Sequence, residues 1–135
     1  MLTARRWFET RLDPLPHSAE AKAYVAGVFA GFIHSTDGVL AKESLVLAYA
    51  AAREIGSIPQ HQRIGDWVLW AQTFAPDPRN VVVVESMGRL SYYACFKLLG
   101  GQWRLYEELA DDLPRLTRMA RKRLVAEKAQ IPWQK

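Results

Sequence analysis

Three kinds of side chain in this sequence could do chemistry, and their spacing decides which kind. Histidines 17, 34 and 61 are too far apart for the i, i+4 pair with which two imidazoles grip one zinc ion from a helix. His34 lies three residues before Asp37, so the two could share one side of a turn, where a capping or surface histidine is the ordinary alternative to a ligand. Cys95, the single cysteine, sits in the run Tyr92-Tyr93-Ala94-Cys95-Phe96. With only Lys97 basic within one turn of it, the thiol reads as a small buried hydrophobe rather than a nucleophile. Glu107, Glu108, Asp111 and Asp112 have the residue types of an acid-base pair, but such a pair works only when one carboxyl is held in an apolar pocket. A solvated face, with Asp112 capping the helix that follows, is the expected role. Gly100-Gly101 lacks the strand and the Lys-Ser/Thr of a phosphate loop, and Ser44, Ser86 and Ser91 lie in no nucleophile elbow. Nothing in the sequence gives positive support to catalysis.

Two patterns could bind rather than react. Trp67, Trp70 and Phe74 stand at offsets 0, 3 and 7 of a helical run, an aromatic ridge with Trp103 and Tyr106 as candidate neighbours. Core packing is the first expectation for it, and an apolar ligand pocket or partner surface the second. The other pattern is charge. The net +4 divides unevenly: residues 1–113 carry 11 basic and 13 acidic side chains, while residues 114–135 carry 7 basic and 1 acidic. A slightly acidic body thus bears a basic end, and Arg115, Arg118, Arg121, Lys122 and Arg123 could meet nucleic acid or an acidic partner. The same residues equally suit a solvated last helix whose dipole they complement. A DNA-reading helix-turn-helix over Leu47 to Trp70 fails, because Ser57 and Pro59 break the pattern and Arg63 is nearly alone in its charge.

The elements that carry these residues read as helices throughout. A chain of 135 residues, half of them hydrophobic, fits one globular domain, and one cysteine excludes an internal disulfide framework. The start has no long apolar run of the secretory kind, and the most apolar window, Ala23 to Ile33, is half a bilayer span, so a cytoplasmic chain without a membrane span is expected. Ser18 caps a helix from about Ala19 to Ser35 with Ala21, Val25, Val28, Phe29 and Phe32 on one stripe; Gly27 and Gly31, four apart, would admit a second helix closely. The run Lys42 to Ile55 is apolar on nearly all sides and is expected at the centre of the fold. Gly56 ends it, and Ser57-Ile58-Pro59 opens a helix whose inner stripe is Ile64, Trp67, Val68, Ala71 and Phe74.

Ala75 to Asn80, with two prolines, is the strongest break. Valines 81–84 favour a strand locally, but no other β-like run could pair with them, so they open a helix with Val84, Met87, Ser91, Ala94 and Leu98 on its stripe, ending at Gly100-Gly101. Gly88 weakens that helix by about 1 kcal/mol relative to Ala. A short helix from Gln102 to Asp111 and a separate basic one over about 114–130, capped by Asp112 with Pro114 in its first turn, complete a single all-α domain, residues 1–135, of six or seven helices. The Ala19 to Ile55 hairpin is expected at its centre.

The stretch from Val28 through His34-Ser35-Thr36-Asp37-Gly38-Val39-Leu40 to Lys42-Glu43 joins an apolar helix, an Asp-Gly turn and a Glu opening a second apolar helix. Over about 30 residues, this layout resembles the signature region of the TerB-like helical domains, named for the tellurite-resistance protein and found also in some membrane-anchored co-chaperones. The resemblance implies an all-helical fold, a stress-related role and a divalent metal ion at the acidic turn, with Asp37 as ligand; Glu43, opening the next helix, and His34, three residues before Asp37, are the further candidates by their position in this sequence. Local structure also explains the turn, since Asp accepts backbone hydrogen bonds, Gly supplies a positive φ and Glu43 suits a helix N-terminus. The expected function is a non-enzymatic helical module that contacts a protein partner, a second copy of itself included, or binds a divalent ion or small ligand. The alternative is nucleic-acid binding through the basic last helix.

Overall fold

The computed structural model describes residues 3–33 and 42–126, and within them the chain is an all-α bundle with no strand. Helix α1 spans Ala4–Leu12, α2 Ala19–Ile33, α3 Lys42–Ile55, α4 Ile58–Phe74, α5 Val81–Leu98 and α6 Arg104–Arg121, with a π-helical turn at Lys122–Ala126 running on from α6. The cap signals work as physical chemistry requires. Ser18 Oγ accepts from Ala21 N at 3.0 Å and Ser57 Oγ from Gln60 N at 3.2 Å, each satisfying a first-turn donor that has no partner inside its helix. Gly56 takes φ 71°, the left-handed conformation that ends α3 without a Cβ penalty. Asp77 folds the break before α5 by accepting Arg79 N at 3.0 Å and Asn80 Nδ2 at 2.9 Å. The valine run is helical, as its lack of a strand partner predicts.

Helix α1 was not legible in the sequence. Four charged residues among its nine hide the buried Trp7, Phe8 and Leu12, and Thr3 caps it through Arg6 N at 3.2 Å.

The centre of the bundle is α4, which packs against α2, α3, α5 and α6. The hairpin expected there is divided instead: α2 lies chiefly on α1, α4 and α6, and α3 on α4 and α5. On α3, Leu45 and Ala52 are fully buried, whereas Leu47 and Ile55 are each 70% exposed. A helix apolar all round gives no moment by which to choose its buried side, and here one side was enough. The glycines that permit close approach are also different ones. Gly31 has open space around it and Gly27 faces only the Arg5 side chain, while Gly65 and Gly88 lie hard against Tyr92, Val68 and Leu113.

The two helices expected after residue 102 are one. Pro114 stands inside α6, where its missing N–H would leave the carbonyl of Ala110 without a partner. Arg89 of α5 supplies the donor, its Nε reaching Ala110 O at 2.9 Å. Removing that donor by Arg89→Met is expected to cost about 1.5–3 kcal/mol, the range for hydrogen bonds to charged groups. Pro114→Ala, which restores an N–H to the same carbonyl, should recover part of the loss. A double-mutant cycle in urea with no coupling between the two sites would show that Arg89 does not bridge the proline.

Candidate functional site

Two arrangements within the bundle are candidates, one polar and interior, the other apolar and open. The interior one is built on α4, where Gln62 and Asp66 are four apart and so share a face. Asp66 Oδ1 accepts from Tyr24 Oη of α2 at 2.6 Å and from Tyr92 Oη of α5 at 2.7 Å. Gln62 Nε2 donates to Tyr24 Oη at 3.2 Å and to Tyr106 Oη of α6 at 3.0 Å. The three phenol rings also meet one another, with centroids 5.9–6.3 Å apart. One amide and one carboxylate therefore tie four helices together.

Burial pushes the Asp66 carboxyl up to about 6, against the two tyrosine hydrogen bonds that favour its charged form. Burial and then the Asp66 charge push the Tyr24 and Tyr92 phenols well above their ordinary value; burial acts first on Tyr106 as well. Cys95 is pushed up to about 12 by burial and then by Asp66, which leaves the thiol protonated and inert at neutral pH. Tyr24 also lines a concavity with Ser18, Glu20, Trp103 and Glu108, but Asp66 is not among its lining residues. The arrangement is suited to holding helices in register, and no described concavity brings a substrate to its carboxylate. Sequence reasoning missed it because its members come from positions 24, 62, 66, 92 and 106; only the i, i+4 pair Gln62 and Asp66 was a local signal.

The open arrangement is a groove between α3 and α5 that encloses about 700 Å³. Met87, Leu90, Ala94 and Leu98 of α5 line it at offsets 0, 3, 7 and 11, facing Tyr49 and Arg53 of α3, with His61 of α4 also contributing. This corrects the expected inner stripe of α5. Its buried residues are Val84, Gly88, Ser91, Tyr92 and Cys95, so Met87, Ala94 and Leu98 turn towards the groove. Leu90 and Leu98 are nearly half exposed. His61 is buried with its ring edge-on to Tyr49 at 5.6 Å, and burial lowers its pKa, so the imidazole is neutral at physiological pH.

The residues singled out from the sequence are dispersed. His34 and Asp37 lie outside the described residues, as does the side chain of Glu43, whose backbone belongs to the first turn of α3. Among the described residues, no three His, Cys, Asp or Glu side chains are grouped so as to hold a metal ion. Trp70 and Phe74 join Phe8, Phe29 and Phe32 in an aromatic cluster between α1, α2 and α4, with Trp70 stacked on Phe32 at 5.4 Å. Trp67 is buried, and Trp103, 56% exposed, stands apart at the start of α6.

The basic group is divided as well. Arg121 Nη1 donates to Thr73 O at 3.0 Å and Arg123 Nε to Arg11 O at 3.2 Å, so each serves a carbonyl in the last turn of another helix. Arg115, Arg118 and Lys122, at offsets 0, 3 and 7, remain as an exposed stripe, Arg115 lying 3.6 Å from Asp112.

The acidic group has structural work. Glu108 accepts from Ser18 N at 2.9 Å and Ser18 Oγ at 2.6 Å, and Asp112 pairs with the buried His17 at 2.5 Å, so both clamp the loop before α2 onto α6. Asp112 is therefore an interior helix residue and not the expected cap.

This is a helical bundle with an apolar core, one polar network within it and an open apolar groove. No protein-family model matches the chain, and no significant similarity links it to a curated protein or a solved structure. The resemblance of about 30 residues from Val28 onward to the TerB-like domains is an expectation from the sequence that these comparisons neither support nor oppose. No described helix is long and apolar enough to cross a membrane.

Proposed function

We propose that this protein is a non-enzymatic interaction module that receives a protein partner in the groove between α3 and α5. The observation that carries the reading is the α5 stripe Met87, Leu90, Ala94 and Leu98: apolar residues at helical spacing that line an open groove, of which Met87 also packs against the edge of the core. Contiguous apolar surface of this kind, rimmed by polar residues, marks interaction sites, whereas scattered exposed hydrophobics need no explanation. Val46 extends the surface on α3, where it shares a face with Tyr49 and Arg53 at offsets 0, 3 and 7. The interior Asp66 network supports the reading by fixing α4 and α5, and with them the groove floor, in one arrangement.

A photo-crosslinking residue introduced in cells at Leu90, Tyr93 or Leu98 is expected to give a discrete adduct with another protein, while the same residue at Arg118 gives none. Adducts from Arg118 alone would favour the second reading, in which the stripe Arg115, Arg118 and Lys122 meets an acidic partner or nucleic acid. Absence of adducts at every position would remove the groove reading.

A further inference from the structure

The charge around the groove points to the kind of partner. Arg53 on α3 and Lys97 on α5 are its charged lining residues, and among the described residues no carboxylate lines it. Neither cation forms an ion pair among the described residues, although Lys97 Nζ lies over the Tyr93 ring at 5.7 Å from its centroid. The groove is thus an apolar-floored trough whose charged lining is positive. Its α5 wall, from Met87 to Leu98, is about 16 Å long at ~1.5 Å per residue, enough for three turns of a second helix lying alongside.

We infer that the groove takes an acidic amphipathic helix from a partner protein. Apolar residues of that helix at i, i+3 and i+7 lie on Met87, Leu90, Ala94 and Leu98, and its flanking carboxylates face Arg53 on one side and Lys97 on the other. The inference rests on the reading of the groove as a docking surface and adds the partner's class. The division of labour is the usual one for a helix held in a groove: the apolar stripe supplies affinity, and the rim charges choose among helices of the same apolar pattern. A basic amphipathic helix would place like charges against Arg53 and Lys97 and is selected against. Tyr49 and Tyr93, one on each wall, supply rigid amphipathic surface beside those cations.

The test uses the full chain and two fluorescein-labelled synthetic helices with the same leucine stripe, one flanked by glutamate and the other by lysine, with binding read by anisotropy. The wild-type protein is expected to bind the glutamate helix roughly tenfold more tightly, a preference that fades as salt rises. Arg53→Glu with Lys97→Glu should reverse the preference, and Leu90→Ser with Leu98→Ser should abolish binding of both helices. All four residues lie at the surface of the groove, and unchanged circular dichroism of each variant shows that the fold is kept. Equal affinity for the two helices would overturn the acidic partner while leaving the groove a docking surface. Failure of both to bind the folded wild-type protein would overturn the inference, and the crosslinking result above then decides separately whether the groove docks anything. A concentration-dependent dimer that Leu90→Ser with Leu98→Ser dissociates would assign the groove to a second copy of the chain and overturn it too.

Discussion

Gly88→Ala is expected to destabilise the protein by about 1–3 kcal/mol, the range for overpacking a well-filled core. By helix propensity the same change should stabilise by about 1 kcal/mol. The sign turns on geometry. A Cβ added at Gly88 would stand 2.5 Å from Val68 Cγ1, 2.8 Å from Val68 Cβ and 2.8 Å from Leu113 Cδ2. Both neighbours are fully buried, and the branch of Val68, whose Cβ itself lies in the way, holds its side chain to one rotamer in a helix, so Val68 cannot swing aside. α5 would have to move from α4 and α6 together, at the crossing where the three helices meet. Gly65→Ala meets the same obstacle, since its Cβ would lie 2.6 Å from Cε1 of Tyr92, whose hydroxyl is fixed on Asp66. Gly31→Ala is the control: with nothing within 4 Å, it is expected to stabilise by up to about 1 kcal/mol. Urea midpoints for the three variants check the set. A Gly88→Ala midpoint at or above the wild-type value would show that the crossing has slack.

These glycines also show what the sequence could and could not tell. Local signals held where local physics decides. Ser18 and Ser57 cap the helices that their positions suggested, Gly56 ends α3, and the valine run is helical because no strand exists to pair with it. What failed was anything that depends on which helix lies next to which. Gly27 and Gly31 have the spacing of a close-packed seam, but a Cβ would meet only the Arg5 guanidinium at Gly27 and nothing within 4 Å at Gly31, whereas Gly65 and Gly88 sit on different helices and form no pattern in the chain. Pro114 predicted a helix start because a proline inside a helix costs a hydrogen bond, and the donor that removes this cost, Arg89, comes from another helix. The site divides along the same line. Of the groove's α5 wall, Met87, Ala94 and Leu98 were visible on the same apolar stripe as the buried Val84 and Ser91, and Leu90 was not, since period alone gives a helix a face without saying what that face meets. The Asp66 network is assembled from four helices, and only the assembled fold brings its members together.

Asp66 gives the second large effect. Burial raises its carboxyl to about 6 in the folded chain against the ordinary 3.8, so the fold holds the proton more tightly than the unfolded chain does. The group's contribution to stability is therefore fully present below about 3.8 and is lost progressively as pH rises through about 6. A shift of this size amounts to about 3 kcal/mol between the two limits. The groups around the carboxylate do not titrate in that window: Tyr24, Tyr92 and Tyr106 are all pushed upward, Cys95 lies near 12, and Gln62 carries no charge.

Asp66→Asn keeps an oxygen to accept from Tyr24 and Tyr92 and removes the buried charge. Relative to wild type it is expected to gain up to about 3 kcal/mol of stability on going from acidic to neutral pH, read as the difference between their urea unfolding free energies at stepped pH. Taking that difference cancels the carboxylates common to both proteins. Asp66→Ala separates charge from hydrogen bonding, because it removes the acceptor and leaves the fully buried Tyr92 hydroxyl without it, a cost of about 1–3 kcal/mol at acidic pH, where wild-type Asp66 is neutral. Parallel pH curves for wild type and Asp66→Asn would mean that water reaches the carboxylate. The polar interior would then hold the four helices through its hydrogen bonds alone.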